Sequence, residues 1–477
     1  MRRLSRRQFL ALTAAAAAAP AAGSPTRALS ARPLTGDWSQ SRAYSLALRT
    51  GSTVPAVAAQ SQLQLPRRRN PRPPVDWAAA GRLLRRRHPD LARHVIFEYY
   101  PWYATAPWRH WNQWDREPPH DIAASSIPAL GPYDSRDAAV LEQHARWIAE
   151  SGVGAINLSW WGPGSFEDRA VPLVMDVMRD HGIKVTFHLE PYRNDRSGAY
   201  ASDILYLLRE YGEKRRWDAF LLLEDASGRQ SPVFKSFATI LPFEVVDCKG
   251  RVQRVPLWAP DSTWRRQTDT VRETLRRDFA HIHLLADSSA LDRTVACGFD
   301  GIAIYDNYVR PEQWPGLAQS CAQADLLFSF NINAGFDGIQ PRRIDPDGCY
   351  TPPAFEPPAE VDWRTREGRR RAESAGRLRI GASAATTLAL QIDPALTNMR
   401  RGFFAVYINS FNEWHEGTSF EPMRPFDALT PTKQALYHNA VNGSYRLEML
   451  ARLLEPVLGE NDDRDEPRGI SDRPLHP

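Results

Sequence analysis

Short apolar runs alternate with longer Arg- and Ala-rich segments through the central part of the chain. The runs are rich in β-branched and aromatic residues, which favour strands, and the segments between them have the character of helices. The predicted strands are residues 94–100, 155–160, 184–190, 233–238, 282–286, 301–305, 326–330 and 403–408. This order predicts an α/β protein, a (β/α)8 TIM barrel with extended βα loops.

The limits of the barrel follow from where the pattern fades. Residues 22–75 are rich in Pro, Ser, Arg and Gln without apolar periodicity, and residues 459–477 are acidic and equally unpatterned, so both are predicted to be flexible. The barrel domain is predicted to span residues 76–458. Within it the fourth strand is ambiguous, because residues 219–223 compete for that place, and the link between the fifth and sixth strands is short.

The first residues resemble an export signal. Arg6 and Arg7 stand in a Ser-Arg-Arg-Gln-Phe-Leu sequence, and an Ala-rich stretch follows that ends in Ala19-Pro20-Ala21. This pattern predicts a twin-arginine signal peptide over residues 1–21, and the stretch is too short to anchor the chain in a bilayer. We expect the twin-arginine translocase to export a soluble protein to the periplasm or beyond. The alternative is a basic arm before a poly-Ala helix.

Charge and cysteine content argue against several classes of partner. The chain has a formal net charge of +4, and residues 1–21 hold four arginines and no other charged side chain, so the remainder has no formal net charge. Neither nucleic acid nor an acidic membrane is an expected partner. The four cysteines show no metal-ligand spacing. We expect buried thiols, with a Cys321–Cys349 bridge as the conceivable pairing, and no metal or cofactor.

The last predicted strand runs directly into two carboxylates. Glu413 and Glu416 lie three residues apart, framed by Trp414 and His415. Two carboxylates of different pKa supply the acid and base of glycosidic cleavage, and an aromatic ring offers a surface on which a sugar can stack. The alternative is an ordinary glutamate pair on a solvated helix face.

The other strong strands also end in aromatic and polar residues. These ends carry Tyr99 to Tyr103, Ser159 to Trp161, His188 to Tyr192, Tyr305 to Tyr308, and Asn331 with Asn333. In this fold the active site is built at the C-terminal ends of the strands. A single aromatic residue at a strand end more often serves packing than ligand contact, but the convergence of many aromatic and polar residues on one end of the barrel indicates a binding site.

Together these motifs resemble glycoside hydrolase family 99, the endo-α-mannosidases and endo-α-mannanases. The matching segments are Tyr99-Tyr100-Pro101-Trp102-Tyr103, His110-Trp111-Asn112, Leu130-Gly131-Pro132-Tyr133, Ser135-Arg136-Asp137, Leu158-Ser159-Trp160-Trp161, Gly182-Ile183-Lys184-Val185, Phe187-His188, Glu190-Pro191-Tyr192, Gly298-Phe299-Asp300-Gly301 and Ser410-Phe411-Asn412-Glu413-Trp414-His415-Glu416-Gly417-Thr418. They cover the whole predicted barrel in family order.

The resemblance implies endo-acting, metal-independent cleavage of α-mannosidic bonds with retention of configuration. The family is thought to use the substrate's own 2-hydroxyl as nucleophile, which gives a 1,2-anhydro sugar. Glu413 would then be the base for that hydroxyl, and Glu416 the acid and later the base that activates water. We expect the pKa of Glu416 to be raised and that of Glu413 to be lower.

The resemblance also implies sugar-binding residues. Glu190 matches an additional carboxylate of the family, although a strand-end glutamate in an ion pair is the alternative. The remaining expected substrate contacts are Tyr99, Tyr100, Trp102, His110, Trp160, Trp161, His188, Tyr192, Tyr305, Asn412 and Trp414, whereas Trp111 can equally be core. Two departures concern specificity: the fourth strand lacks an acidic end, and Glu421-Pro422 leans toward family-99-like proteins of surface-polysaccharide loci.

The expected substrate is therefore an α-mannose-containing polysaccharide or oligosaccharide, such as mannan or a high-mannose glycan. Two alternatives stay open. One is a related α-glycanase acting on another polysaccharide, and the other is a non-catalytic protein of polysaccharide binding or surface-glycan assembly. The presence of both Glu413 and Glu416 speaks against the second.

Overall fold

Parallel strands form at all eight places that the apolar runs predict. The computed structural model describes residues 75–459 apart from 194, 215–216, 226, 247–249, 256, 306, 308, 344–353 and 359. The barrel strands are Val95–Tyr99, Ala155–Trp160, Lys184–Leu189, Gln230–Ser236, His283–Ala286, Gly301–Ala303, Leu327–Ser329 with Asn331–Asn333, and Val406–Asn409. The predicted signal peptide, most of the N-terminal segment and the tail from residue 460 lie outside the described residues, as do Cys248 and Cys349.

The seventh strand closes the barrel. It is interrupted at Phe330, and its first half pairs with the sixth strand while its second half, Asn331–Asn333, pairs with the eighth. The other neighbours follow chain order, and the eighth strand pairs with the first. The result is the predicted (β/α)8 barrel, in which all ladder pairs between barrel strands are parallel.

The ambiguity at the fourth strand has a structural explanation. Residues 233–236 form the parallel ladder to the third and fifth strands, as predicted. The competing segment also lies beside the third strand, because Phe220 forms a parallel bridge with Val185. It then turns into Leu222–Glu224, which pairs antiparallel with the fourth strand. Both apolar runs therefore form β-structure, but only residues 233–236 belong to the parallel barrel ladder.

Helices follow the strands and pack around the barrel. They are Trp77–Arg85, Ala138–Glu150, Phe166–Asp180, Arg196–Leu207 with the π-helical turn Leu208–Glu213, Asp261–Leu275, Leu291–Ala296, Trp314–Gln323, Arg366–Gln391, Thr397–Arg401, Pro431–Leu436 and Tyr445–Leu458, with 3-10 turns at Leu91–His94 and Phe426–Ala428. Small hairpins in the loops are Ala104–Thr105 with Trp108–Arg109, Glu244–Val246 with Val252–Arg254, and Phe336–Asp337 with Ala354–Glu356.

Side-chain caps fix where several helices start. Asp137 accepts a hydrogen bond from the backbone N–H of Ala139, Ser165 from that of Asp168, and Thr365 from that of Gly368. Each cap satisfies a backbone donor that the first helical turn leaves without a partner. No helix in the described part of the chain is long and apolar enough to cross a membrane.

Alternation along the strands divides the buried residues into two sets. Outward side chains such as Phe97, Leu158 and Phe187 pack with the helices in one large cluster. Inward side chains at the lower end of the barrel, among them Ile96 and Leu285, form a separate apolar layer. Because successive residues of a strand point to opposite faces, polar side chains in the barrel interior must alternate with the outward core. Cys297 and Cys321 are buried free thiols, as expected.

Two histidines, His88 and His94, are buried in the lower part of the fold, and a third, His283, is partly buried. The His88 and His94 rings lie 4.5 Å apart, and His94 Nδ1 donates a hydrogen bond to the carbonyl oxygen of Phe404 at 2.7 Å. Burial lowers the pKa of His88 to about 3 and the pKa values of His94 and His283 to about 4. These imidazoles are therefore neutral in the folded protein, whereas in the unfolded chain they gain a proton below about pH 6.5.

We predict that acid weakens the fold through this cluster. The contribution of these neutral histidines to the unfolding free energy is fully present above pH 6.5 and is lost as the pH falls toward 4, because in this range only the unfolded chain takes up the protons. The lowered pKa of His94 alone corresponds to about 3 kcal/mol. His94→Gln should flatten the decline of the unfolding free energy between pH 7 and pH 5, measured by urea denaturation. The matched control, His120→Gln at an exposed position, should leave the slope unchanged. Equal slopes in all three proteins would contradict the assignment.

Candidate active site

The segment after the eighth strand is held as a rigid turn. The Ser410 hydroxyl accepts a hydrogen bond from the backbone N–H of Glu413 at 2.8 Å and lies 2.8 Å from the Thr418 hydroxyl. The backbone N–H of Trp414 donates to the Tyr103 hydroxyl at 3.1 Å. Both glutamates therefore project from a backbone that neighbouring loops fix in place.

Glu413 is the deeper carboxylate of the pair. Its side chain is nearly inaccessible, and Oε1 accepts a hydrogen bond from the backbone N–H of His415 at 3.0 Å. Burial, followed by the charge of Glu416 and then that of Glu190, raises the pKa of Glu413 well above its usual range. The sequence-based expectation placed the lower pKa of the pair on Glu413, and the order of the two pKa values stays a prediction. The motif alone does not reveal which of its two glutamates is desolvated.

Glu416 faces the end of the sixth strand. The Tyr305 hydroxyl donates a hydrogen bond to Glu416 Oε2 at 2.9 Å, and it also shares a hydrogen bond with the Tyr100 hydroxyl. Burial raises the pKa of both phenols well above 10, so both remain protonated and able to donate. The structure thus brings Tyr100, Tyr305 and Glu416 together as the strand ends predict.

The third carboxylate lies across from this pair. Glu190 is buried after the third strand, and its Oε1 accepts a hydrogen bond from the Ser159 hydroxyl at 2.8 Å. The Trp161 indole N–H donates to the same hydroxyl at 3.1 Å. Because Glu190 contributes to the raised pKa of Glu413, it lies within the electrostatic field of the pair. Glu190 thus lies beside the carboxylate pair, in contact with Ser159.

Aromatic rings form one wall of the site. Trp102 stacks on His110 with a ring separation of 4.5 Å and contacts Tyr100 and Trp161 at 4.6 and 6.4 Å. His415 stacks on His110 at 5.5 Å. Burial lowers the pKa of His110 well below its usual range and that of His415 to about 3, so both rings are uncharged at neutral pH. Such a wall offers stacking surface to a sugar without adding charge.

Two expected contacts are corrected by strand alternation. Tyr99 points outward, where its hydroxyl lies 3.0 Å from His144 Nδ1. Trp160 also points outward, and its indole N–H donates to Asp168 Oδ1 at 2.7 Å. Both are fully buried between barrel and helices. Their neighbours in sequence, Tyr100 and Trp161, occupy the site instead, because adjacent residues of a strand face opposite ways.

Three further expected contacts hold the scaffold. Asn412 pairs with the backbone N–H and carbonyl of Tyr100 at 2.7 and 3.0 Å, and the Trp414 indole N–H donates to Glu421 at 3.0 Å. Both are buried behind the turn that carries Glu413 and Glu416. The Tyr192 hydroxyl donates to Asp203 at 2.8 Å, and the Tyr192 ring packs at 5.8 Å against Trp160, which points outward. Trp111 is fully buried, so the core interpretation is the one confirmed for it.

A buried ionic group under the site escaped sequence analysis. Glu98 lies within the first strand and accepts hydrogen bonds from Lys235 at 2.5 Å, Asn157 at 2.8 Å and His188 at 2.9 Å. Burial acts to raise the pKa of Glu98, but Lys235 and His188 outweigh it and lower the pKa to about 2. The sequence did carry a sign of this group, because Glu98 and Lys235 each interrupt an otherwise apolar predicted strand.

The fourth strand has no acidic residue at its end, but an acidic residue from the fifth strand, Asp287, lies next to that end. Asp287 follows the fifth strand, and its carboxylate accepts backbone hydrogen bonds from Ala238 at 3.2 Å and Tyr305 at 3.1 Å. Burial raises its pKa. Asp287 therefore ties the ends of three strands together. Within the described residues no group of three or more His, Cys, Asp or Glu side chains is arranged to hold a metal ion.

The chain is similar to known proteins over this region. Residues 90–220 match the model of glycosyl hydrolase family 99. The glycoprotein endo-alpha-1,2-mannosidase of Mus musculus is 28% identical over 388 residues, covering 73% of each chain. That of Xenopus laevis is 26% identical over 373 residues, covering 71% of each.

A solved structure supports the fold. The GH99 endo-alpha-mannosidase of Bacteroides thetaiotaomicron, in complex with bis-tris propane, superposes with a TM-score of 0.53 at 21% identity, covering 76% of this chain and 97% of that one. The family model over residues 90–220, the related sequences and the barrel agree, and we conclude that this chain is a glycoside hydrolase similar to glycosyl hydrolase family 99.

Proposed function

We propose that the protein cleaves α-mannosidic bonds inside mannan or high-mannose glycans, with retention of configuration. The observation that carries this proposal is the pair of carboxylates Glu413 and Glu416, with Glu190 beside it, at the C-terminal end of the barrel and next to an aromatic wall. The relatives named as endo-alpha-1,2-mannosidases supply the sugar and the endo mode of cleavage.

The proposed first step uses the substrate's 2-hydroxyl as nucleophile. Glu413 takes the proton of that hydroxyl as its oxygen forms a bond to the anomeric carbon. The bond from that carbon to the leaving oxygen breaks, and Glu416 gives its proton to this oxygen. The products are a 1,2-anhydro sugar and a shortened glycan. Because both glutamates project from one short turn, a nucleophile supplied by the substrate avoids placing them on opposite faces of the ring.

In the proposed second step water opens the anhydro sugar. Glu416 takes a proton from water as the water oxygen bonds to the anomeric carbon, and Glu413 returns its proton to the 2-oxygen. Two inversions give net retention. The raised pKa of Glu413 suits a base that must hold and return a proton near neutral pH. Tyr305 keeps the Glu416 carboxyl in place for both transfers.

We also propose that the protein acts outside the cytoplasm. The support is the sequence of residues 1–21, which fits a substrate of the twin-arginine translocase. A polysaccharide too large to enter the cell would then be within reach of the enzyme.

The first prediction concerns the reaction itself. Wild-type protein incubated with α-1,2- and α-1,3-linked manno-oligosaccharides and mannan should release α-configured oligosaccharide as the first product, followed by proton NMR. Glu416→Gln and Glu413→Gln should each lower kcat/KM by about 10² to 10⁴, the range for loss of a general acid or base. Glu150→Gln, an exposed glutamate at a helix end, is the matched control and should keep wild-type activity.

The outcomes separate the alternatives. A β-configured first product would exclude the retaining mechanism. Cleavage of α-glucan in place of mannan would favour the related α-glycanase. Saturable glycan binding without cleavage after long incubation would favour the non-catalytic protein.

A second prediction distinguishes the roles of the two glutamates. A good leaving group departs without protonation, so Glu416→Gln should be nearly as active as wild type in the first step on an α-mannobiosyl fluoride. Glu413→Gln should remain slow on the same fluoride, because the nucleophile still needs its base. The measurement is the initial rate of fluoride release. The reverse order of the two variants would exchange their roles.

A third prediction tests participation of the 2-hydroxyl. Oligosaccharides that carry 2-deoxy or 2-O-methyl mannose at the cleaved residue should not be hydrolysed, since no nucleophile can form. The 2-O-methyl sugar should still bind, which isothermal titration calorimetry with Glu416→Gln would detect. Turnover of either analogue would exclude the anhydro-sugar mechanism.

A further inference from the structure

A polar layer crosses the barrel interior beneath the catalytic carboxylates. It consists of Glu98, Asn157, His188 and Lys235, which come from the first four strands in turn. Glu98 is aligned with Asn157, and His188 with Lys235, in the strand ladders. All four side chains are at most 1% exposed. The apolar layer of the barrel lies below, and Tyr407 packs under the Lys235 ammonium at 4.8 Å.

The two oxygens of Glu98 have different partners. Oε1 accepts from Lys235, whereas Oε2 accepts from both Asn157 and His188 Nδ1. An ionised carboxylate only accepts hydrogen bonds, so His188 Nδ1 must carry a proton. If the ring is neutral, its other nitrogen, Nε2, then has a free lone pair.

His188 Nε2 is the unusual atom of this layer. It is buried and has no hydrogen-bond partner among the described residues. Buried polar atoms normally have hydrogen-bond partners, so this nitrogen is a candidate acceptor for a hydrogen bond from a bound ligand. The ring packs against Phe237 at 5.7 Å and Tyr305 at 5.9 Å, and Tyr305 donates to Glu416. His188 therefore lies at the floor of the active site.

We propose that Glu98, backed by Lys235, is a positioning residue that fixes the proton of His188 on Nδ1, so that Nε2 accepts a hydrogen bond from a sugar hydroxyl at the cleavage site. Lys235 also neutralises Glu98, which keeps this charge from adding to those of Glu190, Glu413 and Glu416 above it. The inference rests on the proposed function for the identity of the ligand as a sugar.

One substitution should invert the proton position. In Glu98→Gln the amide oxygen stays with the Lys235 ammonium, which needs an acceptor, so the amide NH₂ turns toward His188. Nδ1 must then accept, and the proton of the neutral ring moves to Nε2. The sugar hydroxyl loses its acceptor, although the shape of the layer is preserved.

Imidazole nitrogen shifts measure this directly. Long-range proton–nitrogen spectra of histidine-labelled protein, with His188→Asn to assign the signal, should show the proton on Nδ1 in wild type and on Nε2 in Glu98→Gln. Asn157→Ala is the matched control, because it removes a donor to the same carboxylate oxygen and leaves the charge in place. Its His188 should keep the proton on Nδ1. A proton on Nε2 in wild type would overturn the inference.

Kinetics on single-hydroxyl deletions test the contact. Glu98→Gln should lower kcat/KM about tenfold on the parent manno-oligosaccharide, and by less than about twofold on the 3-, 4- or 6-deoxy analogue that lacks the contacted hydroxyl. His188→Ala should show the same dependence on that hydroxyl, which decides the matter if Glu98→Gln fails to fold. An equal loss on every analogue would mean a structural role only. Absence of any mannoside cleavage by wild type would instead refute the proposed function, while the nitrogen shifts would still test the link between Glu98 and His188.

Discussion

The constraint on which the site depends is the burial of several carboxylates at one end of a closed barrel. Like charges in a low-dielectric interior repel each other and lose their hydration, so each one needs its own compensation. Glu98 accepts hydrogen bonds from the Lys235 ammonium and the His188 imidazole. Glu190 accepts one from a serine hydroxyl, and Glu416 accepts one from a tyrosine hydroxyl. Glu413 has backbone N–H donors and a raised pKa. Glu98 and Glu413 thus differ in proton affinity because their partners differ.

The strands could be predicted because a barrel buries both faces of its sheet. Continuous apolar runs such as residues 155–160 leave a strong signal, and the structure reproduces that run residue for residue. The site residues that face inward were also found, among them Tyr100, Trp102 and Tyr305. Tyr99 and Trp160 were misplaced because the motif does not say which of two adjacent aromatic residues faces the barrel interior. That choice depends on the register of each strand, which is set by its neighbours.

The Glu98–Lys235 pair shows what sequence reasoning could not supply. Its members lie 137 positions apart and on strands that are not neighbours in the sheet. A charged residue in an apolar run signals a special environment, but the identity of its partner depends on closure of the barrel. The same holds for Asp287, which serves the end of the fourth strand from the fifth. Such contacts across the barrel are decided by tertiary structure.

The remaining aromatic groups restrict where protons can reside in the site. His110 and His415 are kept neutral by burial, and Tyr100 and Tyr305 remain protonated far above neutral pH. Glu98 is held ionised by its partners. None of these five groups exchanges a proton near pH 7. In the proposed reaction the base and the acid, Glu413 and Glu416, both lie on a single turn, and the burial of their neighbours as uncharged or ion-paired groups keeps other proton carriers away from them.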